Sequence, residues 1–417
     1  MPINRRIVVT AVQTMELRED PISAPAPGEV RVRSTLIGVC GSDTHAFHGR
    51  HPFIPIPYKP GHEATGVVEE LGEGVTSVAV GDRIVVTAVQ TMELREDPIP
   101  APAPGEVRVR STLIGVCGSD THAFHGRHPF IPIPYKPGHE ATGVIEELGE
   151  GVTSVAVGDR IVVEPTLPCW KCKPCLSGAE NLCENLQFFG CGYPEGGMAD
   201  QFVVRADRLH VIPDDISDLD AALIEPLSTP VHAARIAGPL QGRAVAVLGA
   251  GTIGLLMVAV ARWYGASKVV VTDPLPAKRE AAMRLGADAV VDAMAADVTA
   301  QVRAALGESA DVVFDCVAVR STTLAAIGMA LKGGTVVIVG VPAADFELPI
   351  RIMQDQQIRV QGSATYVPQD FASAIEMIQS GAVRAEDFIT GQFPLEQAEQ
   401  AFEASMSGDH IKVLIRP

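Results

Sequence analysis

The sequence predicts an α/β protein of two domains, a small β barrel followed by a doubly wound parallel sheet, and three observations carry that prediction. Up to about residue 225, β-branched runs alternate apolar with polar and are separated by Pro- and Gly-rich turns. From about Gln241, apolar strands of four to six residues alternate with helical stretches such as Ala277 to Leu285, the rhythm of a parallel sheet. Between the strands Ala244 to Leu248 and Lys268 to Thr272 stands the turn Gly249-Ala250-Gly251-Thr252-Ile253-Gly254, with a helix to about Tyr264.

Composition narrows the function classes. At 417 residues the chain can bury a large core. Its net charge of -17 disfavours nucleic acid and anionic lipid as partners and suits a small-molecule substrate. The first residues lack the apolar core of a secretory signal, so a cytoplasmic location is expected. Ala244 to Ala261 runs uncharged for 18 residues, but its three glycines within six positions fit a strand, turn and buried helix better than a membrane span.

The barrel region is written twice. Arg6 to Asp82 and Arg83 to Asp159 are the same 77 residues except for Ser23 against Pro100 and Val68 against Ile145. Solenoid repeats keep only their packing positions, whereas these copies agree at every kind of position. The tetrapeptide Arg-Ile-Val-Val occurs at 6, 83 and 160, the edges of the unit.

Taken in order, the strands of each copy are Arg-Ile-Val-Val-Thr-Ala-Val, then Glu-Val-Arg-Val-Arg-Ser-Thr-Leu-Ile-Gly-Val, then Ala-Thr-Gly-Val-Val/Ile-Glu-Glu-Leu. The expected divisions are residues 1–82 as a partial first copy, 83–225 as the catalytic barrel, 226–365 as the nucleotide domain, and 366–417 returning to the barrel through final strands near 391–417.

Three constellations carry chemistry. Gly249, Gly251 and Gly254, with Ile253 between them, permit close backbone approach, so the helix N-terminus can hold a pyrophosphate. Asp273 ends the next strand and suits ribose hydroxyls while repelling a 2′-phosphate, which favours NAD over NADP. Lys278 and Arg279 lie nearby, as cofactor contacts or as a solvated helix face.

Cys169, Cys172, Cys175 and Cys183 place four thiolates in one loop, the ligand set of a closed zinc site. The rival is an iron–sulfur cluster, whose usual run has a shorter last gap and a proline after the final cysteine, where this chain has Glu184.

The third constellation is Cys117-Gly118-Ser119-Asp120 with His122, then Gly138-His139-Glu140, then Glu225-Pro226-Leu227: one thiolate, one imidazole and carboxylates from separate loops, suited to a zinc with an open position. His125, Arg127 and His128 read as lining the substrate mouth or, more simply, as an exposed basic loop, and Cys191 and Cys316, lacking partners at metal spacing, as small buried residues.

Together, and in this order, the motifs resemble those of the zinc-containing medium-chain dehydrogenases, in the branch of sorbitol, xylitol and threonine 3-dehydrogenases, where a glutamate such as Glu225 replaces a cysteine. The resemblance covers the chain from Arg83 onward. It implies a GroES-like barrel joined to a Rossmann domain. Two zinc ions are implied: a structural one in the four-cysteine loop, and a catalytic one on Cys117, His139 and Glu140, with Glu225 bound directly or through water. Asp120 then orients the histidine, Ser119 relays a proton and His122 passes it towards solvent. Hydride would go from a secondary alcohol of a polyol, cyclitol or threonine-like substrate to NAD, in a homodimer or homotetramer.

Other readings stand beside this one: a silent dinucleotide- and zinc-binding protein, or an alcohol dehydrogenase of broad specificity. A zinc-free quinone reductase would need neither metal loop. Copy one repeats Cys40, Ser42, Asp43, His45, His62 and Glu63, but Glu225 and the four-cysteine loop occur once, so a single complete site is expected. Copy two is expected to form it, because a terminal extension is tolerated better than a loop inserted in a strand. Copy one is then expected to be a poorly packed, aggregation-prone or domain-swapping appendage.

Overall fold

The computed structural model describes residues 3–39, 41–48, 56–61, 63–76, 78–87, 92–126, 128, 131, 134–342 and 344–417. Two compact units emerge: Met1–Thr91 with Phe124–Pro129, and Met92–Ala123 with Phe130–Pro417.

In the first unit β1 (Ile3–Ala11) and β2 (Thr14–Pro21) form an antiparallel hairpin. A separate antiparallel sheet has the order β3 (Val30–Ile37), β4 (Glu63–Leu71), β5 (Arg83–Thr87). This corrects the expected division at 82/83. The Arg83 strand, expected to open the second copy, closes the sheet of the first, with Gly66 opposite Ile84. The reason lies in the thrice-written tetrapeptide: the middle one stands both where a copy begins and where the preceding copy ends, and one strand cannot serve both. Among the described residues, 92–103 accordingly form no strand, and the second copy has no counterpart of the β1–β2 hairpin.

The second unit opens with β6 (Glu106–Val116), β7 (Glu140–Leu148) and β8 (Arg160–Val163), continuing through β9 (Gln201–Arg205) and β10 (Leu209–Val211). The nucleotide domain follows as β11 (Ala244–Leu248), β12 (Lys268–Asp273), β13 (Ala289–Asp292), β14 (Ala310–Asp315), β15 (Ala330–Ile338) and β16 (Arg359–Gly362). These six are all parallel in the order β13-β12-β11-β14-β15-β16, the doubly wound arrangement expected. Along β11 the period of two sends Val245 and Val247 into one apolar cluster and Ala244, Ala246 and Leu248 into another, so both faces are covered. The uncharged run from Ala244 is thus a strand, a turn and the helix Thr252–Trp263, and among the described residues no helix is long and apolar enough to cross a membrane.

Two final strands are β17 (Ile389–Pro394) and β18 (Lys412–Arg416). β18 pairs with β6, setting Ile415 opposite Ile114, and β9 covers the lower half of the same β6 edge, setting Phe202 opposite Val109. Val107, Val109, Ile145, Ile161, Phe189 and Phe202 pack the interior. The helix Ile224–Ala237 runs across the expected division at 225/226.

Where both copies form a sheet, the strand pairing is the same. β3 meets β4 in the register in which β6 meets β7, and Thr35 faces Thr65 as Thr112 faces Thr142, each pair at 2.9 Å. Burial differs at the ends of β3 and β6. Leu36, Ile37 and Val39 are 75%, 57% and 83% exposed, against 1%, 0% and 3% for Leu113, Ile114 and Val116. Full burial of such a side chain is worth about 1.5–3 kcal/mol, which copy one does not gain.

Candidate active site

The site grows from the end of β6. Cys117 follows the strand, and the helix Gly118–Phe124 begins at once, carrying a buried Asp120 and a half-buried Ser119, with His122 one turn further on and exposed. Asp120 Oδ2 accepts the backbone N–H of Cys117 at 3.0 Å, tying the thiol to the first turn. Asp120 Oδ1 lies 3.5 Å from Nδ1 of the buried His139.

His139 and Glu140 enter from the start of β7. Ligand atoms of Cys117, His139 and Glu140 all lie within 4.8 Å of one another. One soft thiolate, one imidazole and one carboxylate so arranged can hold a zinc ion with room for a further ligand. Burial opposes protonation of His139, yet Cys191, Asp120 and Cys117 together raise its pKa well above the ordinary histidine value. The pocket therefore favours positive charge at this point.

Glu225 stands outside that trio. It sits buried at the start of the helix Ile224–Ala237 and accepts a hydrogen bond from the Tyr366 hydroxyl. Burial first, and then the charge of Glu140, push its carboxyl up to about 7.

Three neighbours were not legible as site residues. Tyr366 is one. Lys412 is the second: its ammonium pairs with Glu140 Oε2 and donates to the Val116 carbonyl at 3.0 Å. A lone cation in the apolar run 411–415 was the available signal. The third is Cys191, expected to be a buried bystander; its Sγ lies 3.5 Å from His139 Nδ1, and it forms a second close group with His139 and Asp120. Its signal is faint, a cysteine between two glycines, because the contact is made across chain 52 residues apart.

The four cysteines of the loop lie close together. Sγ atoms of Cys169, Cys172, Cys175 and Cys183 lie within 4.8 Å of one another, with Cys172 3.3 Å from Cys175 and 3.8 Å from Cys183. Backbone N–H groups, that of Lys171 foremost, lower the Cys169 thiol to about 6, so a thiolate is favoured there at neutral pH.

At the nucleotide end, a Cβ on Gly254 would lie 1.8 Å from the Gly249 carbonyl oxygen, so only glycine closes the turn, whereas a Cβ on Gly251 would meet nothing within 4 Å. That open space lies at the uncapped N-terminus of Thr252–Trp263, whose first N–H groups are available to a pyrophosphate. Ile253 is half-buried and packs against the core. Asp273 ends β12 and accepts from Ala250 N at 2.8 Å and Leu275 N at 2.9 Å, which anchors it against the glycine turn. Each of its oxygens keeps a lone pair for a ribose hydroxyl.

Neither basic residue nearby lies on a solvated helix face. Lys278 is buried, its pKa lowered by that burial, and it donates to the His410 carbonyl, while Arg279 donates to the Asp273 and Pro274 carbonyls at 2.7 and 2.9 Å. Lys278 is thereby directed to the backbone of the returning segment. His125 is half-buried against Phe124, and His128 is half-buried, so neither is the fully exposed residue expected. Arg127 lies outside the described residues, as do Cys40 and His62 of the first copy.

Known proteins agree with this architecture. The zinc-binding dehydrogenase family model matches residues 252–380, and the alcohol dehydrogenase GroES-like domain matches twice, at 26–97 and 103–214. A probable D-xylulose reductase A of Aspergillus clavatus is 35% identical over 340 residues, covering 79% of this chain and 95% of that protein. A putative zinc-binding dehydrogenase from Sinorhizobium meliloti, solved with NADP, superposes with a TM-score of 0.74 at 32% identity, covering 79% of this chain and 97% of the other. Galactitol-1-phosphate dehydrogenase from Escherichia coli gives 0.72 at 28% identity, with 79% and 98% covered. The chain belongs to the zinc-binding medium-chain dehydrogenases and is an alcohol oxidoreductase of that family.

Proposed function

We propose that the chain oxidises a secondary alcohol of a polyol, cyclitol or threonine-like substrate with NAD, using copy two of the repeated segment. The observation that carries this reading is the convergence of Cys117, His139 and Glu140 within 4.8 Å, with a buried Glu225 held by Tyr366 close by. A glutamate in that position, with D-xylulose reductase and galactitol-1-phosphate dehydrogenase among the similar proteins, supports a polyol over a simple alcohol.

Cys117, His139 and Glu140 would hold a catalytic zinc, which when bound supplies a Lewis acid that lowers the pKa of the substrate hydroxyl. Ser119 would accept the hydroxyl proton and pass it to His122, three residues along the same helix and open to solvent. Asp120 holds His139 in place. Cys169, Cys172, Cys175 and Cys183 would hold the second, structural zinc. Asp273 at the end of β12, anchored to the glycine turn, would repel a 2′-phosphate, which supports NAD over NADP. We place the enzyme in the cytoplasm as a dimer or tetramer.

Absorbance of NADH across a panel of polyols, inositols, threonine and primary alcohols tests the reading. Turnover confined to secondary alcohols of polyols or of threonine type supports it. Stoichiometric zinc and cofactor binding with no NADH formed from any of them would instead indicate a silent binding protein.

A further inference from the structure

We infer that two copies of this chain associate through the bare edge of β3, pairing residues 29–39 antiparallel about a two-fold axis. The duplicated sequence itself shows what this edge accepts. In copy two the equivalent edge is covered by β9 over 106–110 and by β18 over 114–116. In copy one, among the described residues, β3 pairs only with β4, and Leu36, Ile37 and Val39 stand exposed.

The chain thus has two edges of one sequence and a single set of covering strands. Whichever edge those strands occupy, one edge per chain stays bare, so exchanging them between copies covers nothing more. Pairing the two bare edges with each other does, and it closes the symmetry without leaving a template for further growth. Of residues 29–39, Val30–Ile37 are already strand, enough for a ladder of about 27 Å.

Charge sets the register. With residue 34 facing residue 34 across the axis, Arg33 faces Thr35 and Arg31 faces Ile37, so no arginine opposes an arginine. Both guanidinium groups are already held on their own sheet, Arg31 by Glu70 and Arg33 by Glu69 at 2.9 Å. Parallel pairing in register would set each arginine beside its own copy, which is unfavourable.

The test is sedimentation equilibrium of the full chain with Leu36→Lys/Ile37→Lys, both substitutions at exposed positions of copy one. The expected result is a two-fold fall in particle mass with an unchanged far-ultraviolet circular dichroism spectrum. A second variant, Ser34→Cys, places a thiol on the axis and is expected to give a covalent dimer on mild oxidation. A folded lysine variant of undiminished mass overturns the inference. So does a halved mass without cross-linking through position 34, which would point to another occupant such as the 412–416 strand of a second copy.

Discussion

Lys412 and Glu140 form an ion pair in which both side chains are 2% exposed, and through it the C-terminal strand reaches the mouth of the candidate metal site. Burial alone would lower the lysine pKa, but the charges of Glu140 and Cys117 outweigh it and raise the value, so the ammonium stays charged. Truncating one partner of such a pair strands the other, at a cost of about 3–5 kcal/mol. Lys412→Met should lower the unfolding free energy by that order, and adding Glu140→Gln should restore part of it. Urea denaturation of the three proteins checks both; equal stability of Lys412→Met and the parent would show that the pair contributes nothing net.

If copy two forms the site, the two cysteines at equivalent positions are not equivalent. Cys117→Ser should reduce NADH formation by about 100-fold or more, at least the range seen when a metal's outer shell is disturbed. Cys40→Ser should leave it within about two-fold. Zinc measured by elemental analysis should fall from two ions per chain to one in the first variant and stay at two in the second. Loss of activity confined to Cys40→Ser would assign the site to copy one.

How far the sequence could be read follows from the range of the interactions involved. The glycine turn and Asp273 are local features, with Asp273 reaching Ala250 across 23 residues. The four cysteines likewise gather within one loop. Tyr366 reaches Glu225 across 141 residues, and Lys412 reaches the end of β6 across 296; topology makes these contacts, and no spacing reveals them. The duplication marks the boundary most sharply. Leu36 and Leu113 share their flanking sequence and their strand conformation, and differ in burial because β9 and β18 can cover only one of them. Arg83–Thr87 differs from its expected role for a related reason, since three identical tetrapeptides do not say which strand each will join.

In the proposed reading, cofactor choice turns on Asp273. Its oxygens accept from Ala250 and Leu275 and leave its negative charge beside the glycine turn. Asp273→Ala removes both the ribose acceptor and the charge that opposes a 2′-phosphate. Loss of a hydrogen bond to a charged acceptor is worth about 1.5–3 kcal/mol, so NADH affinity should fall by about 10- to 100-fold. NADPH affinity should fall less or rise. Fluorescence titration with the two reduced cofactors measures the ratio, and an unchanged ratio would remove Asp273 from the selectivity argument.

Acid sensitivity should be traceable to Asp370. This residue is fully buried at the start of the helix Pro368–Gln379, just beyond Tyr366. Its carboxylate accepts from His232 Nδ1 at 2.7 Å, from Arg235 at 2.8 and 3.1 Å, and from Val367 N at 2.9 Å, which clamps this segment to the helix carrying Glu225. Burial pushes its pKa up, but the donors from His232, Arg235 and Val367 outweigh it and hold the carboxyl below its ordinary value. In the unfolded chain an aspartate titrates near about 3.9. Between that value and the lower folded one, the unfolded state binds more protons, so stability falls as pH falls. Above about pH 4 the contribution is fully present. Asp370→Asn should therefore be less stable than the parent by about 1–3 kcal/mol at pH 7. The difference should shrink as pH drops below about 4, because the parent loses the same charge by protonation. Denaturation midpoints of both proteins at pH 7 and pH 3 decide the matter: a difference of the same size at both would mean that packing, and not the carboxylate charge, fastens this segment to the helix.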